Sequence, residues 1–178
     1  YRACGEFHPF TVSGIGAGGE LQIAVKALGQ CSWRIQGIAS GDLVRLQGPF
    51  GSFDPGAGDR PRLWVAGGIG VTPFVAALRA GPCRRPTALS YLFRRPQDGA
   101  FLAELQDQAR SDPMFQLVAQ STGDAPADLG PLLAQVSGLA QREVHVCGPS
   151  PLFEALCAVL RARGVHTASI HHESFDFR

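Results

Sequence analysis

Three short stretches carry residue types that could do chemistry. The first is Gly67-Gly68-Ile69-Gly70-Val71-Thr72-Pro73. Its glycines let the chain turn sharply and let a ligand approach the backbone with no Cβ in the way. Pro73 suits the first turn of a helix, where its missing N–H costs nothing. A helix starting there aims its free N–H groups and the positive end of its dipole at the turn, which can then hold a diphosphate. The second stretch is Val144-His145-Val146-Cys147-Gly148-Pro149-Ser150, an apolar run ending in Cys147 and Gly148 with Pro149 behind them. The third is His8-Pro9-Phe10-Thr11, where a flat aromatic side chain suits a flat ring and a hydroxyl can donate or accept a hydrogen bond. Taken singly, each has a plainer alternative: a tight strand-to-helix turn, a small buried cysteine at a strand end, a strand with one surface histidine.

The elements that must position these residues can be read from periodicity. From residue 62 onward, short apolar runs alternate with helical patterns. Strands are predicted over Leu63–Ala66, Thr87–Phe93, Phe115–Gln120, Val144–Cys147 and Thr167–His171, and helices over Thr72–Ala80, Phe101–Arg110, Leu129–Val136 (the weakest) and Pro151–Arg163. Gly164, after Arg161 and Arg163, is a good helix stop. Such alternation predicts an α/β unit, a doubly wound parallel five-stranded sheet with helices on both faces. Ligands of such sheets sit at the carboxyl ends of the strands near the topological switch point, which is where the glycine turn and Cys147-Gly148 would meet.

Residues 1–50 read as β-rich. A broken strand runs through Phe7, Pro9, Phe10, Val12 and Ser13, Gly14 to Gly19 form a glycine loop, and Glu20–Leu28 alternates as a half-exposed strand. Ser32 is a candidate N-cap for a short helix over Trp33–Ile38, and Asp42–Gln47 alternates again as a strand. Gly48-Pro49-Phe50-Gly51 closes the unit, and the turn-rich Asp54–Pro61 reads as a linker. The division expected is therefore 1–55, a partial antiparallel β-barrel, and 56–178, the α/β unit.

Composition narrows the functional classes. The 178 residues carry a net charge of +1, so bulk charge points to neither nucleic acid nor a membrane surface. The longest uncharged run, between Arg62 and Arg79, is too short to span a bilayer and holds three glycines and a proline. The five cysteines form no CxxC pair, which favours free thiols in a reducing compartment over a disulfide framework or a zinc site. His171 and His172 are adjacent, so on a strand they point to opposite faces and make a poor metal pair. No signal peptide is visible, and a chain opening on Tyr1 is expected to be a fragment or a trimmed piece.

Taken together, Gly68-x-Gly70-x-x-Pro73, Cys147-Gly148-Pro149 and His8-Pro9-Phe10-Thr11 resemble, in order, motifs of the ferredoxin–NADP reductase superfamily. The form His-Pro-Phe-Thr and the ending Glu173-Ser174-Phe175-Asp176-Phe177-Arg178 look most like the reductase part of ferric-reductase-like transmembrane proteins and NADPH oxidases. The resemblance implies a flavin-dependent oxidoreductase that passes hydride from NAD(P)H to FAD and then single electrons to a haem, metal-chelate or oxygen acceptor. It implies that His8, Pro9, Phe10 and Thr11 face the flavin, with Phe10 against the ring and Thr11 near N5. It implies that Lys26, Gly29 and Ser32 meet the flavin phosphates, and that Gly48-Pro49-Phe50-Gly51 closes the flavin domain. Gly67, Gly68, Gly70, Thr72 and Pro73 would hold the nicotinamide dinucleotide. Cys147, Gly148 and Pro149 would lie on its nicotinamide side.

The resemblance further implies that Phe175, with Phe177 in reserve, covers the flavin, and that Glu173 is the matching acid. Thr11, Cys147, Phe175 and Glu173 are thus the catalytic set, and no metal is implied. Arg94 or Arg95, after the second strand, and Ser121, after the third, could meet the adenosine ribose. Thr122 stands where NADP-preferring relatives carry arginine, so NADH and NADPH both stay open. The missing part of the flavin barrel, with a haem-bearing membrane region or else a partner electron carrier, would lie upstream, placing this soluble piece at the cytoplasmic face of a membrane. Two alternatives remain: a soluble reductase component of an oxygenase or globin system, and a module that senses NAD(P) and passes no electrons.

Overall fold

The structure is a computed structural model that describes residues 2, 3 and 6–174; Phe175 and Phe177 lie outside the described residues. Two small antiparallel ladders come first. β1 (Arg2–Ala3) pairs with β2 (Glu6–Phe7), and β3 (Val12–Ile15) pairs with β4 (Leu21–Ile23) through an irregularity between Val12 and Gly14. Helix α1 (Gln30–Gln36) follows. Then come β5 (Arg62–Gly67), α2 (Thr72–Arg79), β6 (Thr87–Phe93), α3 (Leu102–Ser111), β7 (Phe115–Ser121), α4 (Leu129–Ala134), β8 (Glu143–Gly148), α5 (Ser150–Ala162) and β9 (Ile170–Ser174).

The last five strands form one parallel sheet in the order β7-β6-β5-β8-β9. The chain steps outward from β5 through β6 to β7, then returns to the other side of β5 for β8 and β9. The switch point lies between β5 and β8. Leu63, Val65, Val144 and Val146 pack on one face with Leu132, Leu133, Leu156 and Leu160 of α4 and α5. Trp64, Ala66 and Cys147 pack on the other with Phe74 and Val75 of α2 and Leu105 of α3. Strands covered on both faces need continuous apolar sequence, which is why β5 and β6 could be read from runs rather than alternation. The expected doubly wound five-stranded sheet is what the chain forms.

Four sequence expectations are corrected. The alternating stretch Asp42–Gln47 forms no strand: these residues are exposed, and a strand needs a neighbour to complete its ladder. For the same reason the strand expected over Glu20–Leu28 shrinks to Leu21–Ile23. Ser32 is not an N-cap. The helix starts two residues before it, Gly29 occupies the cap, and Ser32 Oγ accepts from Gly29 N and Leu28 N, both at 2.9 Å. The last strand begins at Ile170 and runs to Ser174, because Thr167–Ser169 close a 3₁₀ turn.

The segment before β5 is pinned rather than free. Arg62, buried, donates through Nη2 to Gly56 O at 2.6 Å and Gly58 O at 2.9 Å, and Trp64 Nε1 donates to Pro55 O at 3.0 Å. No helix among the described residues is long and apolar enough to cross a membrane.

Candidate functional site

Backbone contact at the switch point explains the glycines. Gly68 adopts φ +56, a left-handed conformation that favours a residue without Cβ. Gly70 has a different reason: a Cβ there would lie 2.2 Å from the carbonyl oxygen of Cys147. A Cβ on Gly67 would lie 2.8 Å from Pro149 Cδ and from Leu152 Cδ2, and one on Gly148 would lie 3.1 Å from Gly67 Cα. The glycine turn and the Cys147-Gly148-Pro149 loop are therefore packed main chain to main chain at one sheet edge. Gly68–Val71 make a 3₁₀ turn that runs straight into α2, with Pro73 in its first turn and Thr72 Oγ1 donating to Ile69 O at 2.9 Å.

A cavity of about 370 Å³ opens between this turn and the N-terminal segment. Its wall joins parts distant in sequence: His8, Pro9, Phe10 and Thr11 from the connection before β3, then Lys26 and Gly29 to Ser32, then Ile69 and Thr72 from the glycine turn. The lining is mostly apolar, with a few polar groups and one cation, which suits a flat organic ligand with a charged end. Nε2 of His8 is buried with no hydrogen-bond partner among the described residues, an orphaned polar atom on the wall of this cavity. Lys26 Nζ lies 3.1 Å from Asp98 Oδ1.

The remaining expected residues lie outside the cavity. Cys147 is fully buried beside Ala66, Val71 and Phe74. Burial, reinforced by the nearby Glu173 carboxylate, pushes its thiol well above the usual cysteine range. As placed, it is a neutral packing group under the turn rather than a nucleophile facing a ligand. Glu173 stands opposite Cys147 in the β8–β9 register, half-buried, and that burial raises its carboxyl. Arg94, Arg95 and Ser121 gather at the carboxyl ends of β6 and β7, where Ser121 Oγ donates to Arg94 O at 3.0 Å. Arg94 Nε lies 3.7 Å from Asp124 Oδ1, both exposed. His171 and His172 face opposite ways, one stacked on His145 and hydrogen-bonded to Glu143, the other stacked on Phe153.

Sequence reasoning missed several members, Ala24 and Ile35 on the cavity wall among them, and two are instructive. Ile69 lines the cavity from inside the glycine turn, where an apolar residue between glycines was a usable signal. Asp98 meets Lys26 only through the fold, and nothing local in the sequence announces it.

No family model matches the chain. A reductase component of propane 2-monooxygenase from Rhodococcus jostii (strain RHA1) is 30% identical over 156 residues, covering 78% of this chain and 42% of that protein. The electron transfer component of toluate 1,2-dioxygenase from Pseudomonas putida is 29% identical over 181 residues, covering 93% and 53%. The chain spans about half the length of these relatives. Among solved structures, the flavohem-like FAD/NAD-binding domain of nitric oxide dioxygenase from Vibrio cholerae O1 biovar El Tor superposes with a TM-score of 0.84 at 21% identity, over 96% of this chain and 77% of that one. The chain has the ferredoxin–NADP reductase-like fold. The ferredoxin reductase of carbazole 1,9a-dioxygenase shares this reductase-like fold with a TM-score of 0.71 at 22% identity, over 98% of this chain and 58% of its own.

Proposed function

We propose that the chain is the cofactor-handling region of a flavin-dependent NAD(P)H reductase that supplies electrons to an oxygenase or globin partner. The observation that carries this is the cavity itself: His8–Thr11, Lys26 and Gly29–Ser32 share one wall with Ile69 and Thr72 of the glycine turn. The names of similar proteins support it, including reductase components of propane and glycine betaine monooxygenases and a flavohemoprotein. The narrower reading as the reductase part of a ferric-reductase-like membrane protein rests on His8-Pro9-Phe10-Thr11 and the C-terminal residues, and those relatives favour the oxygenase reading over it.

The residues fit a flavin at the cavity and a nicotinamide dinucleotide at the sheet edge. When bound, FAD would take a hydride from NAD(P)H and pass electrons on singly. The protein's part is to bind, orient and exclude water. Phe10 offers a flat face and Thr11 a hydroxyl donor, while the orphaned His8 Nε2 can engage a polar edge of the ring. Gly68, with open space where a Cβ would stand, lets a diphosphate approach the main chain, Gly70 seats the turn against Cys147, and the eight-residue helix α2 directs its amino end toward the ligand. Arg94, Arg95 and Ser121 would meet the adenosine ribose. Glu173, whose carboxyl is raised by burial, stands at that edge opposite Cys147. By resemblance alone, Phe175, outside the described residues, would cover the flavin. In this reading residues 1–55 belong to the flavin unit and 56–178 to the nucleotide unit.

The test is anaerobic mixing of the FAD-loaded chain, preferably extended upstream, with NADH and separately with NADPH. Bleaching of oxidised flavin is expected, and the faster nucleotide reports on Arg94 and Arg95. No bleaching in a protein that demonstrably holds FAD would leave a nucleotide-sensing module instead.

A further inference from the structure

Lys26 is the chain's single lysine; the other fifteen basic residues are arginine. It is also the one Lys or Arg on the wall of the cavity among the described residues. Its ammonium is already engaged, 3.1 Å from Asp98 Oδ1, with the lysine side chain 38% and the aspartate side chain 24% exposed. Asp98 sits on the 3₁₀ turn Pro96–Asp98 that follows Arg94 and Arg95, and its N–H donates to Arg95 O at 2.8 Å. We propose that Lys26 is shared between Asp98 and the anionic end of the cavity's ligand, so that Asp98 acts as an internal competitor holding the cavity's affinity for phosphate-bearing ligands down.

The argument is electrostatic and steric. The pair Lys26–Asp98 has no net charge, so the cavity wall offers little long-range pull on an anion. A phosphate gains Lys26 only by sharing or replacing the carboxylate, and it then lies near an uncompensated Asp98. Lysine suits such an exchange: its compact ammonium on a flexible stem rotates between partners, whereas a guanidinium would lock onto the carboxylate through a two-pronged contact. The Lys26 bond is also the main cause holding the Asp98 carboxyl below its usual range. Ligand binding and the Lys26–Asp98 contact are then negatively linked, and by reciprocity the ligand loosens the 96–98 turn beside Arg95. The proposal rests on the cavity being the flavin site.

Two measurements on the full chain separate that reading from the proposal. The first is equilibrium binding of FAD and of riboflavin, which lacks phosphate, to wild type, Asp98→Asn, Lys26→Met and the double variant. Asp98→Asn should tighten FAD about three- to fivefold, the scale of a partly exposed ion pair, and leave riboflavin unchanged. In the Lys26→Met background the same change should add nothing. The second needs no flavin: acetylation of the single ε-amine, read by peptide mass, should be faster in Asp98→Asn than in wild type, and inorganic pyrophosphate should slow it in both. Absence of FAD binding to any variant sinks the flavin reading, and the acetylation rates still decide the competition. Asp98→Asn that weakens FAD, shifts both flavins equally, gains equally without Lys26, or leaves acetylation unchanged overturns the proposal.

Discussion

The guanidinium of Arg79 donates through Nη1 to the main-chain carbonyl of Ser13 at 3.0 Å, tying the last residue of α2 to β3. The same nitrogen donates to Gln22 Oε1 at 2.9 Å, while Nε and Nη2 form a fork on Glu104 of α3 at 2.7 and 2.8 Å. The group also lies 5.1 Å from the centre of the Phe101 ring. Helix α2 thus carries cavity-lining Thr72 at one end and grips, at the other, the strand that follows Thr11. Arg79→Ala should speed amide hydrogen exchange across Val12–Ile15 and cost about 1–2 kcal/mol, a modest figure because the pair is partly exposed. Arg79→Lys should recover part of the stability and little of the exchange protection, since an ammonium cannot span both partners. Unchanged exchange in the alanine variant would mean that the ladder holds without this grip.

Gly68 and Gly70 should respond differently to the same substitution. Gly68→Ala puts a methyl into open space but at φ +56, a strain of about 1–2 kcal/mol. Gly70→Ala drives a methyl to 2.2 Å from the Cys147 carbonyl, which forces the two loops apart. Chemical denaturation should find the Gly70 variant less stable than the Gly68 variant by several kcal/mol, about the scale of severe overpacking. The Gly70 variant should also lose nucleotide binding, because the switch-point edge is rebuilt. Equal stabilities would contradict the main-chain contact.

Cys147 is sealed in the core and its thiol is held neutral. Alkylation at about pH 8 should therefore spare it in the folded chain and label it once the chain is denatured. If the role implied for it at the nicotinamide side holds, Cys147→Ala should slow flavin reduction about tenfold with nucleotide affinity nearly unchanged, since only positioning is lost. Stopped-flow reduction and a nucleotide titration read the two effects apart; an unchanged rate would leave Cys147 as packing alone.

How much could be read in advance follows from which interactions are local. β6 was legible residue for residue because Thr87–Phe93 is an uncharged, mostly apolar run buried on both faces, interrupted only by the small polar Ser90. The glycine turn was legible because positive φ and close approach both demand glycine, although only the structure separates Gly68, which needs the first, from Gly70, which needs the second. The N-terminal segment was the least legible. The pattern in Asp42–Gln47 suits a strand, but strand formation depends on a neighbour, and that cannot be read within the stretch. Ser32 misled because a serine three residues into a helix can reach back to the cap as readily as it can be the cap. The ion pairs Lys26–Asp98 and Arg79–Glu104 join segments far apart in sequence, so no spacing rule finds them.

His145 gives the protein a pH signature distinct from its carboxylates. It lies in the sheet between Trp64 and His171, its ring stacked 4.7 Å from that of His171 and edge-on to Phe53 at 5.7 Å. Its Nδ1 is buried with no hydrogen-bond partner among the described residues. Burial, helped by the neighbouring His171 and Arg62 and opposed by Glu143 and Asp54, lowers its pKa to about 4. The unfolded chain binds this proton near the ordinary histidine value of about 6.5, so it is the unfolded state that gains protons first as pH falls. The stabilisation is therefore fully present above about pH 6.5 and is lost as pH drops from there toward 4, on the order of 3 kcal/mol in all. Urea denaturation across that range should show the slope in wild type and a flatter profile in His145→Gln, whose neutral amide binds no proton. Parallel profiles would mean that the proton is taken up equally in both states, and that His145 is reached by water in the folded chain.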